Sequence, residues 1–146
     1  MPVKEIELTL KNEPGQLSVV SEILGSNGVD IIAFYVSTEG AQGHLRFVAN
    51  DPDRAITVLK ARGYRLTVGE AIACETPHHP GGLNSILKPL KKQNINVEYI
   101  YPCLIRQGTG STAILIIGVA TKDREPTIAA LKENWIKVLN EELYRM

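Results

Sequence analysis

Residues 12–17 read NEPGQL and residues 78–83 read HHPGGL, so a Pro-Gly-x-Leu turn occurs twice in a chain of 146 residues. The agreement extends beyond the turn. The shift that lays Pro14, Gly15 and Leu17 on Pro80, Gly81 and Leu83 also lays Gly28, Val29, Asp30 and Ile31 on Asn94, Ile95, Asn96 and Val97, and Tyr35 on Tyr101. Farther along the shift grows, and Ile56, Leu59 and Lys60 fall on Ile128, Leu131 and Lys132. The extra residues are absorbed in a turn at 106–110 and a connection at 118–121. A repeat of this length, present twice, means two copies of one supersecondary unit rather than a many-bladed array.

Each copy carries the same order of signals. Ile6, Leu8 and Leu10 alternate with Glu5, Glu7 and Thr9, which predicts a strand with one core face. Leu17, Val20 and Leu24 share one face of a following helix, matched in the second copy by Leu83, Ile86, Leu87 and Leu90. Residues 31–36, a turn at 40–43 and residues 45–49 read as a β-hairpin. Asp51 and Pro52 have the residue types of an N-cap and a first helical position, with a stop at Gly63 and a last strand through Tyr64, Leu66 and Val68. The order is βαββαβ, the ferredoxin-like unit, written as 1–69 and 70–146 with a junction near Gly69 and Glu70. Pro89 falls inside a helix, where its missing N–H predicts a kink or an early end.

Composition narrows the functions. The 16 Lys and Arg balance 16 Asp and Glu, so no net field gathers nucleic acid or an anionic membrane. The apolar run 113–117 is too short to span a bilayer, and the two cysteines, Cys74 and Cys103, form no CxxC. A cytoplasmic protein is expected. No nucleophile elbow, phosphate loop, dinucleotide fingerprint or placed carboxylate pair occurs, so no catalysis and no cofactor are expected. His44 and Arg46 share one face of a hairpin strand and read as a solvated pair. An RNA-binding sheet would need more aromatic residues than Phe47 beside Arg46.

Pro-Gly-x-Leu after the first strand, followed by Gly-Val-Asp-Ile entering the second, resembles the ACT domain, a small regulatory module that binds amino acids. The resemblance covers the whole chain as two ACT units and includes an ending similar to that of stand-alone tandem-ACT proteins, Glu141-Glu142-Leu143-Tyr144. It implies an α+β fold of two ferredoxin-like units joined side by side through their second strands into an eight-stranded antiparallel sheet, with helices on one face. It also implies a free amino acid as ligand, and a metabolic enzyme or regulator as partner.

The implied ligand-binding residues are Asn12, Glu13, Pro14, Gly15, Gln16 and Leu17 in the first turn and Asp30 and Ile31 at the first copy's second strand. In the second copy they are His78, His79, Gly81, Gly82 and Leu83, with Asn96 and Val97. A helix start after a Cβ-free glycine suits a carboxylate, because its unpaired N–H groups carry partial positive charge. Asp30 can hold an ammonium, whereas the Asn96 amide can both donate and accept. Under this pairing Asn12 and Gly15 face Asn96, while His78 and Gly81 face Asp30, and the two sites are chemically unequal.

Other readings stay open. The turns can be simple helix starts, and Asn12, Asp30 and Asn96 can bond their own backbone. Packing is the expected role of Tyr99 and Tyr101; Tyr144 either docks or frays. The stretch 74–79, CETPHH, has metal-like composition and allows a metal-responsive ACT-like regulator, but its spacing fits no zinc pattern, and Cys74 is expected to point into a core, so no metal is assigned. The alternative function is an assembly subunit with empty pockets. Val48 and residues 113–117 are expected to give the helix-free face a self-association surface, which favours a homodimer.

Overall fold

The opening alternation becomes strand β1 (Val3–Lys11), with Ile6, Leu8 and Leu10 buried and Glu7 and Thr9 on the other face. The structure is a computed structural model that describes residues 2–104 and 112–146. The turn expected at 106–110 lies outside the described residues. The chain divides into two compact units, Lys4–Glu70 and Ala71–Tyr144.

In the first unit β1 leads to α1 (Gln16–Ser26), the hairpin β2 (Ile31–Glu39) and β3 (Gln42–Ala49), α2 (Pro52–Ala61) and the start of β4 (Leu66–Pro77). The strand order is β2-β3-β1-β4, with Leu8 opposite Leu45 and Ile6 opposite Phe47 in the antiparallel β1 and β3 pair. Val20 and Leu24 of α1 and Ala55 and Leu59 of α2 close one core over Ile6, Leu8 and Phe47. Asp51 Oδ1 accepts from the Arg54 N–H at 3.2 Å and Pro52 takes the first helical position, so the cap is as the sequence predicts. At the other end Gly63 adopts φ +81, and the Tyr64 N–H reaches back to the Leu59 carbonyl at 3.2 Å.

The second unit continues along β4 to α3 (Gly82–Lys92), β5 (Val97–Pro102), β6 (Thr112–Val119), α4 (Arg124–Glu133) and the short β7 (Val138–Leu139). Here β4 lies between β6 and β7, and among the described residues β5 pairs with β6 alone, so the order repeats that of the first unit. Ile72, Cys74, Ile86, Leu90, Ile117 and Leu131 form its core. The last residues form a 3-10 turn, Glu141–Arg145, that buries Leu143. Among the described residues no helix is long and apolar enough to cross a membrane.

Four expectations need correction. The copies do not join through their second strands into eight strands within the chain: β2 and β5 stand at opposite ends of the strand order, and the described strands number seven because β4 runs unbroken from Leu66 to Pro77 as the last strand of one unit and the first of the next. Leu17 and Leu83 do not join the core stripes: they are 43% and 49% exposed, on the first turn of α1 and α3. Of the kink or early end expected at Pro89, the early end does not occur: the helix continues to Lys92 with Pro89 itself buried. Val48, Ile114 and Ile116 are already buried within the single chain, so that apolar patch is not open for self-association.

Tyr99 and Tyr101 pack, as expected, with ring centroids 6.2 Å apart and planes 18° from parallel. The space for Tyr99 exists because Gly118 opposite it has no side chain: a Cβ there would lie 1.9 Å from Tyr99 Cζ. Gly118→Ala should therefore destabilise the protein by about 1–3 kcal/mol through overpacking. In urea titrations that loss should shrink in a Tyr99→Ala background, a non-additivity that reports the contact.

Candidate functional site

Gly15 and Gly81 are the N-caps of α1 and α3, with φ +85 and +84, and neither helix has a side-chain cap. A Cβ on either glycine would meet nothing within 4 Å. Glycine is thus required by the left-handed backbone, and the space above each turn is open. Gly82 differs: its Cβ would lie 2.0 Å from the Pro77 carbonyl oxygen, so the start of α3 presses against the end of β4. In both copies the first helical N–H closes the turn, from Gln16 to the Glu13 carbonyl at 3.4 Å and from Gly82 to the His79 carbonyl at 2.8 Å, and the rest of the helix start has no side-chain cap and an exposed leucine beside it, an arrangement that suits an anion.

Within the first unit, Asn12, Glu13, Gln16 and Leu17 come together against Val36 and Thr38 of β2 and Gly43 of β3, around a cavity of about 70 Å³. That is room for about two water molecules, so the cavity is one wall of a site rather than an enclosure. The Asn12 N–H donates to the Ala41 carbonyl at 2.9 Å and its Nδ2 to the Gly40 carbonyl at 3.0 Å, tying the turn to the hairpin tip. The side-chain oxygen remains an acceptor.

The expected partners at the second-strand entrances lie elsewhere in their own units. Asp30 precedes β2 and Ile31 begins it, while Thr38 lies near its other end, roughly 23 Å away along an extended strand. The Asp30 N–H donates to Asn50 Oδ1 at 2.8 Å, which pins the backbone and leaves the side chain exposed. In the second unit Asn96 and Val97 line a cleft of about 340 Å³ with Leu87 and Lys91. His78, His79, Gly81, Gly82 and Leu83 sit at the opposite end of α3, about 16 Å along the helix. His79 Nδ1 lies 2.8 Å from the Pro80 carbonyl oxygen, and His78 is exposed. Neither unit alone joins its turn to its own strand entrance.

Sequence reasoning missed a polar cluster on the helix-free face of the first unit. Arg46 Nη1 donates to Glu5 at 3.1 Å, Nη2 to Glu7, and Nε to the Tyr35 hydroxyl at 3.2 Å. Glu5 is only 4% exposed, and His44 Nδ1 is buried 3.9 Å from Glu7, beyond hydrogen-bond reach. His44 and Arg46 are therefore not a solvated pair. Their shared face was readable, but the register that sets Arg46 opposite Glu7 was not. Arg46→Ala takes the guanidinium away from the buried Glu5 carboxylate and so should cost on the order of 3–5 kcal/mol. Denaturant unfolding should show the loss eased when Glu5→Gln is added.

Cys74 faces the second unit's core, as its strand position implies, whereas His78 and His79 are exposed. Among the described residues no group of three His, Cys, Asp or Glu could hold a metal. Burial pushes the Cys74 thiol up to about 12, with a further contribution from nearby Cys103, and burial likewise pushes Cys103 up to about 12. Both are poor nucleophiles at neutral pH.

Two βαββαβ units in tandem, each with a glycine-capped helix start after its first strand, define a paired ferredoxin-like architecture. The sequence profile of the ACT domain pair matches residues 1–146, and the chain belongs to that family. It is similar to the crystal structure of a protein from Bacteroides thetaiotaomicron, with 26% identity, 100% of this chain and 98% of that chain covered, and a TM-score of 0.87. It shares the fold of the regulatory subunit of aspartate kinase from Thermus thermophilus, at 15% identity, 92% and 93% coverage and a TM-score of 0.65. The corresponding subunit from Thermus flavus gives 16% identity, 92% and 94% coverage and a TM-score of 0.61. No curated protein matches the sequence.

The thiols carry a pH dependence whose sign is fixed. A cysteine ordinarily ionising near 9.0 but held at about 12 when folded keeps a proton that the unfolded chain releases. The associated stability is whole below pH 9 and is lost as pH rises from 9 toward 12. Urea midpoints measured between pH 8 and 11 should fall more steeply for the wild type than for Cys74→Ala.

Proposed function

We propose that the protein is an amino-acid-responsive regulatory protein without catalytic activity, which binds a free amino acid at its Pro-Gly turns and passes the binding to a partner enzyme or regulator. The observation that carries this reading is the pair of uncapped helix starts, with Gly15 and Gly81 at φ +85 and +84 and an exposed leucine beside each. The aspartate kinase regulatory subunits that share the fold support a partner enzyme. The work is expected to take place in the cytoplasm.

The ammonium acceptor in this proposal comes from a second-strand entrance. β2 and β5 end the strand order, each with one hydrogen-bonded neighbour, and Phe34, Val36 and Ile100 on them are exposed. Edge-to-edge pairing of β2 with β5 of a second copy would make the side-by-side sheet of eight strands in a homodimer, hiding two open edges. Asn12 and Gly15 then face Asn96, and His78 and Gly81 face Asp30. A carboxylate meets the helix start, and the ammonium meets Asp30 or the Asn96 oxygen.

Thermal melts against each of the twenty amino acids test the proposal. A ligand at a hundred times its dissociation constant adds about 2.7 kcal/mol. A shift with one or a few amino acids, reduced by Asn12→Ala or Asn96→Ala, is the expected result, with two unequal sites in calorimetry. Absence of any shift would favour an assembly subunit instead.

A further inference from the structure

Lys11 and Arg65 line one cavity of about 330 Å³ in the first unit, formed by the end of β1, the β2 to β3 turn and the α2 to β4 connection. Thr9, Gln42 and Tyr64 add two hydroxyls and an amide to its wall, and among the described residues no acidic side chain lines it. The volume is that of a small-ligand pocket. Among the described residues neither Lys11 nor Arg65 has an ion-pair partner.

The second unit supplies an internal comparison. The Thr9 N–H donates to the Arg65 carbonyl at 3.3 Å, and the same bond recurs from the Glu75 N–H to the Lys137 carbonyl at 3.0 Å. Thr9 thus corresponds to Glu75, Arg65 to Lys137, and Lys11 to Pro77. In the second copy the single cation has a carboxylate beside it, with Lys137 Nζ 4.0 Å from Glu75 Oε1. In the first copy there are two cations and no carboxylate. Placing like charges around one cleft is unfavourable unless an anion joins them.

From this asymmetry we propose that the first unit holds a second site, separate from the Pro-Gly turn, for a small doubly charged oxyanion of the dicarboxylate or phosphate class. Lys11 and Arg65 neutralise the two charges. The fork of Arg65 and the donors of Thr9, Gln42 and Tyr64 orient the oxygens. Arg65 distinguishes this site from the amino-acid reading, because it lines this cavity and not the turn cavity, whereas Lys11 lines both.

Calorimetry on the full chain at constant ionic strength, with succinate, inorganic phosphate and acetate as probes, tests it. Succinate or phosphate should bind saturably and acetate much more weakly; the preferred dianion identifies the source. Arg65→Gln and Lys11→Gln should each weaken binding about tenfold or more, the scale of a charge-assisted hydrogen bond. Lys137→Gln should leave it unchanged, and Thr9→Glu, which recreates the second copy's pairing, should abolish it. Both cations are exposed, so these variants should keep the wild-type melting temperature, and any amino-acid response should survive Arg65→Gln. Saturable binding of neither dianion, an equal response to sodium chloride, or undiminished affinity in the Arg65→Gln and Lys11→Gln double variant would overturn the proposal.

Discussion

Strand β4 is the constraint from which the rest of the architecture follows. Its twelve residues contain no turn, and its environment changes along its length: residues 67–70 are exposed, whereas Ala71, Ile72, Ala73 and Cys74 are all buried. A strand exposed in one half and buried on both faces in the other has the character first of an edge and then of a centre. The small residues Ala71 and Ala73 permit the change. One strand therefore belongs to both copies, and the duplication leaves no linker where the sequence pattern places its junction.

The two Pro-Gly turns owe their shape to backbone physics rather than to crowding. A left-handed residue at the N-cap forces glycine, and glycine has no side chain to satisfy the helix start. The ordinary capping residues are absent in both copies, and the leucine on each first turn faces outward despite its place in an apolar pattern. A turn that served only to begin a helix would gain stability from a serine or aspartate cap. Both copies keep glycine instead, and the first N–H of each helix bonds back to its own turn, Gln16 to Glu13 and Gly82 to His79.

Divergence between the copies is informative because the shared backbone holds geometry nearly constant. Thr9 and Glu75 occupy equivalent bonds, yet one leaves a cation without a carboxylate and the other pairs it. Arg46 gathers Glu5, Glu7 and Tyr35 on the first unit's helix-free face, whereas the second copy sets Ile116 at the strand position equivalent to Arg46, paired with Tyr101 as Arg46 is with Tyr35. Burial of Glu5 makes that first cluster a matter of specific pairing, since an unpartnered buried carboxylate is strongly unfavourable.

Much of the fold was legible in the sequence. Period-two alternation in β1, the Asp51 and Pro52 helix start, the stop at Gly63 and the doubled turn are local signals, set by residues a few positions apart, and the repeat checked each against its twin. What the sequence could not decide were properties of strands brought together from far apart. The register that places Arg46 between Glu5 and Glu7, the continuity of β4 past Gly69, the burial of Val48 and Ile116, and the meeting of Lys11 with Arg65 all depend on hydrogen-bonded neighbours distant along the chain. Local chemistry determines which segments are strands and helices; only the tertiary arrangement decides which side chains share a face, a charge or a cavity.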